Sequence, residues 1–555
     1  MQINRRAFVG AGVAASAIGA SAQATTQASG GGQPQQRALV ELARYVEQHR
    51  TDWGLPGMTV CVVDRDGYTG FIRSGLARAE EPVTVNAGHL FQIGSISKMM
   101  AALAVHQMVQ EGKLRLDAKL MALMPEIAVD NGGDITLQHL LNHTAGLPDD
   151  AGIFPANGNL WSGFTPGSNW SYSNTGYAIV GEIVARYDHR PYREALNARV
   201  LAPLGMAATL PAIRVGDRMR YAQGYTPPFD DRTNLRPGPM VQSPWVDMEN
   251  AAGCVASTGA DMAKFARFLV GVAQGHGGAV LHDDTAALFA ATASSGWAEG
   301  AAYGNGVARI TDHDRQYWHH TGGMLSFSSS IHVDVEAGIA CFASSNVSGL
   351  NYRPRDISLY ACQLFRMARD GGVAPTPNPT RATVDHPEHY AGRYTAQSGE
   401  SFELIASGDQ LRMRYNGRDS AVQQAEGGFA CADGRFAVSG LVIDTEHDRA
   451  ARAWADDVEF LRDPSIGYKP PASADLRALA GRYDNDDRWL GPITFVARDG
   501  KLWAGNAAPL KQTAAGYWRF DGDDSSPERI RFDSMMNGKA MRVWYSGKPF
   551  ARRFS

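Results

Sequence analysis

The stretch Phe91-Gln92-Ile93-Gly94-Ser95-Ile96-Ser97-Lys98 places a serine and a lysine three residues apart at the mouth of a helix. Gly94 interrupts what precedes it. SISKMMAALAVHQMVQEGK then runs with apolar residues nearly all round, which predicts a buried helix ending near Gly112. A serine on the first turn of such a helix sits among unpaired backbone N–H groups, where the helix dipole favours developing negative charge. Residues three apart share a helical face, so the Lys98 amine reaches back to the Ser95 hydroxyl. A hydroxyl becomes a useful nucleophile when a neighbouring base takes its proton, and a desolvated lysine can be that base. The competing reading is a capping serine beside a solvated lysine. It is weakened because this S-x-x-K stands alone in the chain and the helix is too apolar to give Lys98 a solvent face.

Partners for the pair are sought downstream. Tyr172-Ser173-Asn174 lies between a Pro-Gly turn and an apolar helix beginning near Thr175, so a phenol and an amide two residues apart can face one cleft. A tyrosine there shuttles a proton and an asparagine holds a carbonyl. The same Y-x-N spacing recurs at Tyr303-Gly304-Asn305 and Tyr483-Asp484-Asn485, but in Gly-rich and Asp-rich turns, where a structural role is expected. His320-Thr321-Gly322-Gly323 lies between two apolar strands. Its glycines let backbone approach a ligand, and an edge N–H there can stabilise an oxyanion. His139 and His143 are four apart, a spacing open to metal ligation, but no glutamate completes H-E-x-x-H and a structural turn is the expectation. The paired histidines of His386-Pro387-Glu388-His389 sit in a linker. No metal and no cofactor is expected.

The chain has 555 residues, 44% of them hydrophobic, enough for several cores. A net charge of −4 gives no electrostatic reason to expect nucleic acid or an anionic membrane surface as partner. Small molecules or peptides are the expected partners, with a homodimer as a further possibility. Residues 1–24 carry Arg5-Arg6, a short apolar run from Ala7 to Ala20 and Ala22-Gln23-Ala24 as a cleavage site. That run is too short to span a bilayer and resembles a bacterial twin-arginine signal, which places the protein in the periplasm or outside the cell without a stable membrane anchor. Cys61, Cys254, Cys341, Cys362 and Cys431 are odd in number and widely spaced, so they read as buried small hydrophobes rather than a disulfide framework.

Residues 25–36 form a Gly, Gln and Ser-rich linker, and 37–370 the main domain, of α+β type. GMTVCVVD and TGFIRSG form a hairpin ahead of Ser95. The polar, Pro-rich segment from Arg214 to Asn250 is expected to shape the substrate pocket. A Pro-rich linker, 371–385, leads to two segments, 386–470 and 471–555, that share an Ala-Gly-Arg-Tyr start followed by strand, turn and strand. Two small antiparallel barrels or sandwiches in tandem are the expectation, there to position substrate, contact the main domain or hold an oligomer together.

With S-I-S-K, Y-S-N and H-T-G in this order, and with HLLNHTAGL, SNTGYAIVGEIV and LAPLGM between them, the chain resembles the serine β-lactamase and penicillin-binding-protein superfamily. The resemblance runs from Ala38 to Arg366 and is to the class C-like peptidase and esterase branch. It implies a β-lactamase/transpeptidase-like domain, with an antiparallel sheet flanked by helices and a helical subdomain. By the same resemblance Ser95 forms an acyl-enzyme, Lys98 and Tyr172 share acid and base work, and Asn174 orients substrate. Ser95 and Gly323 N–H groups are the implied oxyanion donors, with His320, Thr321 and Gly322 lining the substrate side. Relatives that act on β-lactams or D-Ala-D-Ala often carry Lys where His320 stands, and an imidazole is a weaker anchor for a carboxylate. A histidine there, with two C-terminal β-domains, is similar to D-aminopeptidase-type enzymes, so amide cleavage in small linear peptides is expected, D-residues included. A carboxylesterase or weak β-lactamase on the same fold is the first alternative, and a non-catalytic peptide or β-lactam sensor the second.

Overall fold

Alternation along two neighbouring strands sets the architecture. In Gly57–Asp64 every residue is buried, and Val60 and Val62 enter one apolar core while Cys61 and Val63 enter another. The strand Ile339–Ser345 pairs antiparallel with it and divides the same way, Ala340 and Phe342 to one side and Ile339, Cys341 and Ala343 to the other. With a side-chain period of two, apolar residues at every position mean a sheet covered on both faces. The computed structural model describes residues 23–554 apart from 157, 230, 231, 349–351, 353, 374, 426, 447, 448, 507 and 524. The twin-arginine segment, 1–24, lies almost wholly outside the described residues.

The two strands sit at the centre of a ten-stranded antiparallel sheet. Helices Gln33–Trp53 and Arg355–Asp370 cover one face, their Leu42, Val46, Ile357 and Phe365 packing on Val60 and Val62. Helix Gly259–Ala273 covers the other face and joins it to a helical region built on Ser97–Gln110 and Asn174–Asp188. The α+β class and the flanked antiparallel sheet are thus as expected. Residues 25–36 differ. Thr25–Ser29 is an exposed edge strand paired with Thr69–Arg73, and the first helix starts at Gln33, so the polar stretch extends the sheet instead of linking. All five cysteines are buried and free.

Residues 371–385 are irregular but pinned, since the Tyr45 hydroxyl donates to Asn378 O at 3.0 Å and Asn378 Nδ2 donates to Asp356 Oδ1 at 2.9 Å. Eight strands from Gly392–Ala396 to Val458–Leu461 then form a nearly closed sheet, and eight more from Gly481–Asp484 to Lys548–Arg552 form a closed barrel. The sequence repeat has a physical basis in one recurring joint. In each copy a short helix, Pro387–Tyr390 or Ala474–Leu479, precedes the Gly-Arg-Tyr strand, and the tyrosine hydroxyl donates back to that helix, Tyr394 to Tyr390 O and Tyr483 to Leu479 O, both at 2.7 Å. An arginine from the far end of each domain caps the same turn, Arg462 on His389 O at 3.2 Å and Arg552 on Ala480 O at 2.8 Å. The glycine must be glycine, because it lies at φ +148° and +151° and a Cβ would meet the arginine at 2.7 or 2.1 Å.

This joint closes the barrel by tying its first strand to its last. Gly481→Ala should therefore destabilise the second barrel by roughly 1–3 kcal/mol, read as a lowered thermal midpoint of the full chain, whereas Gly500→Ala, in a turn with nothing within 4 Å of the added Cβ, carries only the strain of its positive φ.

Candidate active site

Gly94 adopts φ +56°, and Gly94–Ile96 forms a 3₁₀ turn that hands over to the α-helix Ser97–Gln110. Ser95 therefore stands on a tight turn just before the helix, half-exposed at the floor of a cleft. The turn packs directly on strand Arg315–Gly323. A Cβ on Gly94 would lie 2.6 Å from Gly323 N, and one on Gly322 would lie 1.9 Å from Ile93 O. The two glycine positions let the backbones approach and bring Gly323 beside Ser95.

Lys98, one turn on, is completely buried. Its Nζ lies 3.1 Å from Ser95 Oγ, 2.6 Å from Asn174 Oδ1 and 2.7 Å from Ala252 O. Burial pulls the amine down from 10.5 to about 7, although the carboxylates of Asp149 and Asp150 act in the opposite sense. The amine has an oxygen for each of three hydrogen bonds, and when it loses its proton two N–H bonds remain for Asn174 and Ala252 while the lone pair can accept the Ser95 O–H. Tyr172 closes the group, with its ring centroid 4.8 Å from Lys98 Nζ and 4.3 Å from the His143 ring.

Asn174 opens the helix Asn174–Asp188, and Ser173 caps it by accepting from Gly176 N at 3.0 Å. The loop around residue 149 grips this end. Asn174 N donates to Asp149 Oδ1 at 3.1 Å, Asn174 Nδ2 donates to Asp150 Oδ1 at 3.2 Å, and Thr175 N donates to Asp149 O at 2.8 Å. The amide of Asn174 is thereby oriented with its oxygen towards Lys98. Burial raises Asp149 to about 7.

A cavity of about 240 Å³ opens in front of Ser95, lined also by Asn174, Ala252, Gly323, Asp150 and Met248, and by Asp487, Trp489 and Lys548 of the second barrel. Met248 and Asn250 come from the Pro-rich segment, which so shapes the pocket at its C-terminal end, while Thr233 and Arg236 from its middle bond the first barrel. The second barrel docks beside the cleft. Trp161 Nε1 donates to Pro527 O at 2.7 Å, the Arg529 guanidinium lies 4.5 Å from the Trp161 ring, and Asp149 N donates to Glu528 Oε1 at 2.7 Å.

Ser95, Lys98, Tyr172, Asn174 and Gly323 are thus brought together. His320 and Thr321 stand differently from expectation. His320 Nε2 accepts from the Tyr303 hydroxyl at 2.9 Å and Nδ1 donates to Thr321 O at 2.5 Å, so both ring nitrogens are engaged within the protein. Burial, and then the charge of Lys98, pull this imidazole down to about 3, so it is neutral. It braces the wall behind Ser95 and presents no free donor to substrate. Thr321 contributes its carbonyl, and Gly322 the close approach to Ile93.

Tyr303, expected to be only a turn residue, is part of the site through His320 and through its ring, 4.7 Å from that of His143. His139 and His143 each use one ring nitrogen to hold local backbone. His139 Nδ1 accepts from Thr136 N and His143 Nδ1 from Ser173 N, at 3.3 and 3.1 Å. Among the described residues one group offers metal-ligand atoms close together, His386, Glu388 and His389 within 4.8 Å, on the surface of the linker region. Asp149, Asp150, Asp487, Trp489, Lys548 and Glu528 carried no sequence signal, since their partners in the site are distant in sequence.

The sequence model of the family described as Beta-lactamase matches residues 42–364. The chain belongs to that family. It is 30% identical over 236 residues to Penicillin-binding protein 4 of Amycolatopsis lactamdurans, covering 39% of this chain and 60% of that protein. It is also 33% identical over 177 residues to Esterase EstB of Burkholderia gladioli, covering 26% of this chain and 45% of that protein. The chain thus spans about half the length of these curated relatives. Among solved structures, the octameric penicillin-binding protein homologue from Pyrococcus abyssi aligns with a TM-score of 0.55 at 20% identity, over 77% of this chain and 98% of that one. The D-amino acid amidase from Ochrobactrum anthropi SV3, complexed with D-phenylalanine, aligns at 0.50 and 23%, over 61% and 99%. These likenesses establish a β-lactamase fold.

A Lys98 amine acting as base predicts that phosphonylation of Ser95 by a fluorophosphonate rises with pH through about 7 as Lys98 loses its proton. Lys98→Arg, which holds its proton at every working pH, should abolish the labelling. Intact mass against pH checks both.

Proposed function

We propose that the chain is an exported serine hydrolase that cleaves amide bonds of small linear peptides by a Ser95 acyl-enzyme. The observation that carries this reading is the buried Lys98 amine 3.1 Å from Ser95 Oγ, pulled down to about 7 by desolvation. Ser95 Oγ attacks the carbonyl carbon while its proton passes to Lys98 Nζ. The tetrahedral oxyanion is received by the N–H groups of Ser95 and Gly323, and the leaving nitrogen takes a proton from Lys98 or Tyr172. Water then attacks the ester with the same base and frees Ser95. General base catalysis of this kind contributes roughly 10²–10⁴-fold.

Two features favour a small substrate with a free amino group. The cavity is bounded on one side by Asp487, Trp489 and Lys548, which leaves little length beyond the scissile bond. Asp150 lines it, and its carboxylate suits an ammonium, whereas Asp487 is paired with Lys548 at 3.4 Å and His320 is neutral and engaged and so is a poor partner for a substrate carboxylate. Export rests on residues 1–24 alone. An esterase is the second reading, favoured by the likeness to Esterase EstB, because the same acyl-enzyme serves an ester.

The test is hydrolysis of D-Ala and L-Ala p-nitroanilides, a short-chain p-nitrophenyl ester and a chromogenic cephalosporin, each with Ser95→Ala, Lys98→Ala and Tyr172→Phe. The expected outcome is Ser95-dependent turnover of an amino-acid anilide. Ser95→Ala should be inactive, and the other two should fall by about 10²–10⁴-fold with an unchanged thermal midpoint. Turnover of the ester alone would move the assignment to a carboxylesterase. Normal activity of Ser95→Ala would overturn it.

A further inference from the structure

Glu528 is a carboxyl with no ordinary reason to be buried. It projects from the second barrel into the main domain and is only 8% exposed. Its Oε1 accepts from Asp149 N at 2.7 Å, and its Oε2 is buried with no hydrogen-bond partner among the described residues. Among the described residues no basic side chain pairs with it. The charged and titratable groups that face it are Asp149 and Asp150 on the opposing loop and Tyr545 on the strand Lys539–Tyr545. Arg529, next in sequence, is turned over the Trp161 and Tyr517 rings instead. An isolated buried carboxylate beside two other carboxyls is costly, so the group is held as the neutral acid.

The loop it holds is the one that aims Asn174 at Lys98. Asp149 receives Glu528 through its own N–H and grips Asn174 N through its carboxyl, while Asp150 holds Asn174 Nδ2. Asn174 Oδ1 in turn accepts from Lys98 Nζ. A four-residue chain therefore runs from the second barrel to the base, through backbone and amide groups with fixed directions.

We infer that Glu528 is a positioning residue for Lys98: in its protonated form it docks the second barrel on the Asp149 loop, and that docking keeps Asn174 aimed at the catalytic amine. The inference rests on the acyl-enzyme reading for its effect on rate, but not for its effect on docking. It gives the C-terminal domain a part in the chemistry beyond forming a wall of the cavity, and it makes that part sensitive to pH. Burial, then the carboxylates of Asp149 and Asp150, raise the carboxyl from 4.5 to about 8, against the hydrogen bond from Asp149 N, which lowers it. Docking therefore takes up a proton. The stability it gives is fully present below about 4.5, declines as pH rises, and is lost through about 8.

Full-length Glu528→Gln and Glu528→Ala separate this from packing alone. Glutamine keeps an acceptor for Asp149 N and cannot ionise. Its thermal midpoint should therefore exceed that of the wild type by an amount that grows between about pH 5 and about pH 9. Ser95 labelling by a fluorophosphonate at neutral pH should fall about tenfold or more in Glu528→Ala and be restored in Glu528→Gln. The Gln variant should also hold its rate above pH 8, where the wild type declines. A pH-independent difference in midpoint, or a folded Glu528→Ala that labels at the wild-type rate with the wild-type pH profile, would overturn the proposal. Absence of Ser95 labelling in the wild type would instead remove the acyl-enzyme reading and leave the docking claim to be decided by the midpoints.

Discussion

An amine without water is the constraint on which the site depends. Lys98 is completely enclosed, and an ammonium ion in that position loses its hydration and has three hydrogen-bond acceptors and the pull of Asp149 and Asp150 to offset it, with desolvation the larger effect. The neutral amine has what it needs, two acceptors for its N–H bonds and a hydroxyl for its lone pair. Desolvation thus does two things together. It lowers the basicity of the lysine into the working range and leaves Ser95 as the group its lone pair can reach.

Keeping the amine dry takes much of the molecule. The helix Ser97–Gln110 is buried on nearly every face, which is why its sequence has little polar stripe. The ten-stranded sheet supplies Gly322 and Gly323 against the turn at Gly94, an approach that a side chain at Gly94 or Gly322 would prevent. His320 is neutral for the same reason as Lys98, and its hydrogen bonds to Tyr303 and Thr321 turn a would-be ligand into a brace. Asn174 is fixed from its other end by two carboxyls, so its oxygen points at the amine without a choice of rotamer.

The parts legible in the sequence are those whose signal is local. Ser95 and Lys98 declare themselves by spacing and by the apolar helix around them, the tandem β-domains by the repeated Gly-Arg-Tyr, and the covered sheet by its continuous apolar strands. Tyr172 and Asn174 were legible because a turn and a helix start bracket them. What was not legible comes from distant pairing. Nothing near Tyr303 reveals that it meets His320, seventeen residues on, across the paired strands. Glu528 is about 380 residues from Asp149, with |i−j| of 379, and reads as one more acid in a polar turn until the barrel docks. The exposed polar run before Gln33 misled for the opposite reason, since an edge strand needs only backbone pairing and shows no apolar alternation.

The account stands on the ionisation of one group, and the chain has only nine lysines, few enough to resolve singly. The direct measurement is an NMR titration of protein carrying ¹³C at the lysine ε-carbon, with Lys98→Arg to identify the resonance. The account predicts one signal that titrates near 7, far below the ordinary value of a lysine, and is missing from Lys98→Arg. If the Lys98 resonance titrated near the ordinary lysine value of 10.5, the amine would be charged at neutral pH and could not be the base that activates Ser95.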